Sequence, residues 1–207
     1  MTLEIKRFDL SALRPFSSIL ILSSKTELLC DIIKTINLPC TVFTDTDRPV
    51  YRGLENCTVY MPVGTRPGTY ASFYDRFNPE DLHKPIATAG QDEIVIYDND
   101  ILLKTRLSDE RDVRETFYNG RHFRKWVIWV TSQPNTIGPS IRLTFAYIFS
   151  GIPYKAEECW RRFTGGFPTY EIFRDLSYAI IVDRPGGVMV IDNRSMSGSI
   201  EETVYWY

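Results

Sequence analysis

Short apolar runs rich in β-branched residues recur along this chain, separated by polar or helix-compatible segments. Residues 18–22, 40–44, 93–97, 126–131, 147–150 and 179–182 read as strands, while 27–36, 109–119, 154–163 and 169–176 read as helices. Alternation of this kind predicts an α/β fold with a mainly parallel central sheet. Residues 11–15 read as a short turn before the first strand. The stretch 62–91, rich in Pro, Gly and Thr, predicts a long loop with one short helix near 79–82. Arg184-Pro-Gly-Gly187 lies between Ala-Ile-Ile-Val-Asp and Val-Met-Val-Ile-Asp, which predicts a C-terminal β-hairpin. The last residues, Val204-Tyr-Trp-Tyr207, are too apolar for a loose tail and are expected to add an edge strand or dock on a partner.

Chemistry enters at the first strand. Residues 19–26 read Ile-Leu-Ile-Leu-Ser-Ser-Lys-Thr, and a helix follows at once. This is the frame of a phosphate-binding P-loop, strand then Lys-Thr then helix, but the loop is missing. A full loop has about eight residues, whose glycines let backbone N–H groups wrap the phosphates. Here only Ser23-Ser24-Lys25-Thr26 fills that place, with neither glycine.

Composition narrows the picture without naming a function. At 207 residues and 43% hydrophobic, one core and one domain spanning 1–207 are expected. A net charge of −2 carries no global nucleic-acid signature, so any DNA contact must come from a local patch. Cys30, Cys40, Cys57 and Cys159 are widely spaced, and His83 and His122 are the only histidines, so a zinc site is not expected. Cys30 is expected to be buried on the apolar face of the first helix. No apolar stretch approaches about 18 residues and no leader pattern opens the chain, so a soluble protein of a reducing compartment is expected.

Four further segments could carry chemistry. Glu93-Ile-Val-Ile-Tyr-Asp98-Asn99-Asp100 is an apolar strand ending in acids. In P-loop NTPases an acid here holds Mg²⁺ and a neighbouring one orients water. Asp98 fits the first role, whereas Asn99 cannot act as a carboxylate base. A turn after a buried strand would use the same residues. The strand at 126–131 runs into Ser132-Gln133, where a polar tip could sense a γ-phosphate. Arg142, just ahead of the strand at 147–150, could serve as an arginine finger or pair on the surface. Arg121-His122-Phe123-Arg124-Lys125 is the one locally basic cluster, able to meet DNA phosphates or to form a solvated helix end.

Taken in order, these pieces resemble the genome-packaging ATPases of nucleocytoplasmic large DNA viruses, a branch of the FtsK–HerA-like P-loop motors. The resemblance rests on Phe8-Asp9-Leu10, the strand and Lys-Thr helix at 19–35, Val42-Phe-Thr-Asp-Thr46 with Tyr51, the acidic strand, Arg114-Glu-Thr-Phe-Tyr-Asn-Gly-Arg-His122, the strand ending at Gln133, and Pro139-Ser-Ile-Arg142. It covers residues 4–193. The fold it implies is a single P-loop NTPase-like domain of RecA/FtsK type. It implies that Ser24, Lys25 and Thr26 stand where nucleotide binds, Thr26 and Asp98 where Mg²⁺ would sit, Asn99 at the second acid, Gln133 at the sensor and Arg142 at an inter-subunit finger.

The departures are the shortened loop, Asn99, and Leu-Thr-Phe-Ala-Tyr147 after Arg142, where the family has polar residues. Together they point to a degenerate member with vestigial catalytic residues and no cofactor, with ATP and Mg²⁺ bound only if the loop still functions. The expected role is structural or regulatory, in virion assembly or DNA packaging. Two alternatives stay open: an active packaging ATPase with an atypical loop, and a DNA-binding accessory using Arg121, His122, Arg124 and Lys125. Expected partners are a second copy, an active packaging ATPase paralogue, a capsid component or double-stranded DNA, at a cytoplasmic assembly site or in the virion.

Overall fold

Strands that are apolar at every position can be stable only between two covering layers. The computed structural model, which describes residues 4–23, 26–54, 56–62, 77–98, 107–152, 156–163, 169–195 and 199–207, has that arrangement. In chain order the elements are β1 (Ser18–Leu22), α1 (Thr26–Ile36), β2 (Cys40–Thr44), α2 (Pro49–Arg52), β3 (Cys57–Tyr60), α3 (Pro79–Ala87) and β4 (Glu93–Asp98). Then follow α4 (Arg111–Asn119), β5 (Lys125–Val130), α5 (Pro139–Arg142), β6 (Tyr147–Ser150), α6 (Ala156–Phe163), α7 (Tyr170–Ile181), β7 (Met189–Asp192) and β8 (Val204–Trp206). The sheet order is β3-β2-β4-β5-β1-β6-β7-β8. The first six strands are parallel, and β7 and β8 are antiparallel additions.

Alternation along each strand feeds two cores. Ile19 and Ile21 face the layer made by α1, α2 and the segment 8–13, whereas Leu20 and Leu22 face α3 to α7. On the second face register sets Phe43, Tyr97 and Trp129 directly opposite one another. Their rings stack 5.2 and 5.8 Å apart, and Phe117 of α4 closes the group 5.8 Å from Trp129. Offset aromatic pairs of this kind add about 0.5–1.5 kcal/mol each beyond the area they bury.

The α/β fold with a mainly parallel sheet and a terminal antiparallel hairpin is as expected from the chain. The strands ending at Leu22, Asp98 and Val130 lie side by side, with β5 between β1 and β4. Residues 179–182, however, are not a strand. Phe173, Leu176, Ser177 and Ile180 are buried at helical spacing, and α7 runs on through Ile181. Arg184-Pro-Gly-Gly187 is therefore a helix-to-strand turn. A Cβ on Gly187 would lie 1.9 Å from the Ile180 carbonyl oxygen, so only glycine passes there. The terminal hairpin forms instead between β7 and β8. β8 is an edge strand of the chain's own sheet, further covered by a bridge between Arg7 and Trp206. Cys30 is half-exposed rather than buried.

Lys125 also departs from expectation. It is 0% exposed, and its ammonium group reaches Glu93 Oε2 at 2.7 Å, Thr88 Oγ1 at 2.9 Å and the carbonyls of Thr88 and Gln91 at 3.0 and 3.1 Å. Thr41 donates to the other Glu93 oxygen at 2.5 Å. This lysine is an internal tie between α3, β4 and β5, not a surface cation for DNA. Lys125→Ala should lower stability by about 3 kcal/mol or more, because Glu93 would keep a half-buried charge without its partner. Arg121→Ala, at an exposed position, should change it by less than about 0.5 kcal/mol. Urea denaturation of the two variants checks the contrast.

Candidate functional site

Parallel order gathers six strand ends at one edge, the place where open α/β sheets bind ligands, and five of them carry a buried polar side chain. Each of the five ends on, or one residue before, that side chain: Thr44 for β2, Asp98 for β4, Thr131 for β5, Ser23 for β1 and Ser150 for β6. Local hydrogen bonds turn the chain there. Thr44 Oγ1 accepts from the Thr46 N–H at 3.2 Å, and Thr131 Oγ1 accepts from the Gln133 N–H at 2.9 Å. The second of these places Gln133, half-buried, at the tip of the strand beside the acidic one.

Thr26 opens α1 directly after β1, so only Ser23, Ser24 and Lys25 connect strand and helix. Ser24, Lys25 and Asn99 lie outside the described residues. The connection is too short for a glycine-rich loop of about eight residues. Ser23 itself is buried against β6: a Cβ on Gly151 would come within 2.8 Å of its Oγ.

Asp98 has the most consequential surroundings. It is 1% exposed, and the Arg48 guanidinium forms an ion pair with its Oδ2 at 2.9 Å. The Tyr51 hydroxyl donates to the same oxygen at 2.5 Å. Burial, reinforced by the adjacent carboxylate, holds the Tyr51 phenol well above its usual titration range, so it stays a donor. Arg48 and Tyr51 come from the N-cap and body of α2, whose Pro49 at the first helical turn fixes the entry angle. Asp45, one residue past β2, is a second buried acid at this edge and accepts from Thr46 Oγ1 at 3.1 Å. Sequence reasoning noted Tyr51 but missed the part played by Arg48 and Asp45. The available signal was the Arg-Pro pair just after the second strand, since such pairs start helices.

One Asp98 oxygen, Oδ2, is thus taken up by both Arg48 and Tyr51. A divalent ion there would face the Arg48 charge on the same oxygen, in a place with little solvent to screen it. Asp98, Gln133 and Thr26 share the carboxyl edge. Arg142 does not join them: it ends α5, its Nε donates to the Ile137 carbonyl at 2.9 Å, and the chain then reaches Thr144, whose carbonyl meets Ser18 at the start of β1. Leu143, beside it, is 93% exposed. Arg121, His122 and Arg124 sit at the opposite, amino edge of the sheet, before β5. Arg124 forks onto Asp92 and lies over the Phe16 ring at 5.4 Å.

No protein-family model matches the chain. An uncharacterized protein of Acanthamoeba polyphaga mimivirus is 27% identical over 117 residues, which is 55% of this chain and 40% of that protein. The chain thus matches well under half the length of that relative. Among solved structures, the DNA-packaging ATPase of Sulfolobus turreted icosahedral virus superposes with a TM-score of 0.57 at 10% identity, covering 94% of this chain and 98% of that one. The genome-packaging NTPase of Sulfolobus turreted icosahedral virus 2, in complex with ATPγS, gives 0.59 at 10% identity, with 94% and 98% covered. The cytoplasmic domain of the Thermomonospora curvata type VII secretion ATPase gives 0.56 at 9% identity, over 93% of this chain and 25% of that one. At such identities the likeness is one of fold, and the fold is that of P-loop ATPase domains.

Breaking the Asp98 pairing should be costly. Arg48→Ala is expected to lose about 3 kcal/mol, since it leaves a buried carboxylate short of its counter-charge. Tyr51→Phe should lose about 1.5–3 kcal/mol, the range for a hydrogen bond to a charged group. The double variant should fall short of the sum of the two, because both partners act on one oxygen. Equilibrium unfolding of the three proteins provides the cycle.

Proposed function

We propose that this chain is a viral genome-packaging-ATPase-like protein that retains the P-loop fold with little or no ATP hydrolysis. It would act as a structural or regulatory subunit in virion assembly or DNA packaging. The observation that carries this reading is the ion pair of Asp98 with Arg48. The acid expected to hold Mg²⁺ is already neutralised from within the chain, next to a strand-to-helix connection reduced to Ser23, Ser24 and Lys25. The mimivirus relative and the viral packaging ATPases of like fold support the viral setting. On this reading Asp98, Asn99, Gln133 and Arg142 are vestigial catalytic positions, and Ser24, Lys25 and Thr26 a vestigial nucleotide site. Partners would be further copies of the chain, an active packaging ATPase or a capsid component, with Arg142 and the exposed Leu143 on the contacting face. The place of action would be the cytoplasmic assembly site or the virion.

Isothermal titration with ATP, with and without Mg²⁺, followed by a phosphate-release assay, tests the proposal. Heats at the level of buffer dilution and no turnover are expected. Micromolar, Mg²⁺-dependent binding abolished by Lys25→Ala would instead favour an active ATPase with an atypical loop. Light scattering tests assembly: species larger than one chain are expected, and Leu143→Asp should shift them toward the monomer. A monomer at high concentration that also fails to bind capsid protein or an active packaging ATPase would remove the subunit role.

A further inference from the structure

The amino ends of β1 and β5 open a cleft of about 280 Å³ at the sheet edge away from Asp98. Arg121, His122, Arg194, Tyr118, Phe16 and Thr144 contribute to its lining, and no carboxylate does among the described residues. The basic run after α4 divides here into two halves of different fate. Arg124 and Lys125 are neutralised by Asp92 and Glu93. Arg121 and His122 have no ion-pair partner among the described residues, and neither has Arg194, which reaches the same cleft from the segment after β7.

Their convergence is built by the backbone. At Gly120 a Cβ would stand 2.7 Å from both the Thr116 carbonyl oxygen and Val127 Cγ2, so glycine lets the end of α4 lie flat on β5. Arg121 and His122 follow directly on the rim. The Asp192 carboxylate accepts the Arg194 N–H at 2.9 Å and fixes that segment opposite them. Tyr118 is steadied by donating to the Ser140 carbonyl at 3.0 Å.

We propose that this cleft binds a phosphate group, supplied either by a free phosphorylated molecule or by a nucleic-acid backbone. Unpaired like charges brought together at one concave site repel one another, and an anion relieves that repulsion. Guanidinium forks match phosphate oxygens, and Arg121 and Arg194 approach from separate segments, as two-sided capture of a phosphate requires. The volume lies near the lower end of small-ligand sites, which begin at roughly 300 Å³. The site involves none of the residues at the carboxyl edge, so it stands or falls independently of the fate of ATP there.

The test uses the whole chain with two probes: inorganic phosphate followed by ³¹P NMR, and a short fluorescein-labelled DNA duplex followed by anisotropy at several salt concentrations. Arg121→Ala and Arg194→Ala should each weaken binding about tenfold, as loss of a charge-assisted hydrogen bond does. Arg174→Ala, which removes an equal charge already paired with Asp175 on α7, should leave binding within about twofold. Arg121→Gln repeats the measurement if Arg121→Ala disturbs the α4–β5 turn. Duplex binding that falls with salt and requires both arginines identifies a nucleic-acid source, and phosphate binding alone with the same requirement identifies a free one. Failure of both probes at low salt overturns the proposal, as does binding indifferent to both arginines or equally weakened by Arg174→Ala.

Discussion

A carboxylate withdrawn from water must be compensated, and at the end of β4 the compensation determines what the whole carboxyl edge can do. Asp98 is buried in the sheet between Thr44 and Val130, so leaving it unpaired would cost several kcal/mol. Arg48 and Tyr51 meet that need from α2, the first element after β2. The pairing is made within the chain. It also ties the segment after β2 to β4, across the strand pairing that already sets Thr44 opposite Asp98.

The two ends of the sheet are thereby chemically distinct. At the carboxyl ends, threonine, serine and aspartate side chains are buried and largely spent on turning the chain, as Thr44 and Thr131 show. At the amino ends, the connection from α4 to β5 presents Arg124 and Lys125, satisfied internally, and Arg121 and His122, which line a cleft. Parallel pairing is responsible for this separation. Every strand from β1 to β6 points the same way, so residues just before strands gather at one edge and residues just after them at the other.

Much of the fold was legible because β1, β4 and β5 carry unbroken apolar runs with polar flanks, and such runs hardly admit another reading. The order of those runs also foretold that the acidic strand and the first strand would share an edge. What was not legible has physical causes. Ala179-Ile-Ile reads as a strand locally, yet Phe173 and Leu176 extend its burial at helical spacing, and only the packing of α7 on β7 decides between them. β3 is a short edge strand with exposed Thr58 and Val59, so it lacks the apolar signature of the inner strands. Lys125 looked like a surface cation because a sequence does not reveal that Glu93, its register partner on β4, lies directly beside it. Of the candidate site, the position of Asp98 was readable, whereas its pairing was not. Arg48 is distant in sequence, and the Arg-Pro pair marks the start of a helix without revealing which acid the arginine meets.

Sequence identity near 10% to viral packaging ATPases of the same fold is understandable from where the packing lies. The stacked Phe43, Tyr97 and Trp129, together with the apolar faces of α1 and α4, are formed between strands and helices and involve no part of the strand-to-helix connection. That connection can shorten without removing core contacts, provided Thr26 still begins α1 against the sheet. The carboxyl edge has a stricter requirement. A ligand can shift a conformational equilibrium only through contacts that differ between two states. In this chain Arg48 makes a contact to Asp98 Oδ2 without any ligand. A motor needs contacts at this edge to come and go with each nucleotide, whereas a scaffold is better served by ones that stay. The Arg48–Asp98 pair, beside a strand-to-helix connection of three residues, is the physical feature on which the proposal of holding rather than turnover rests.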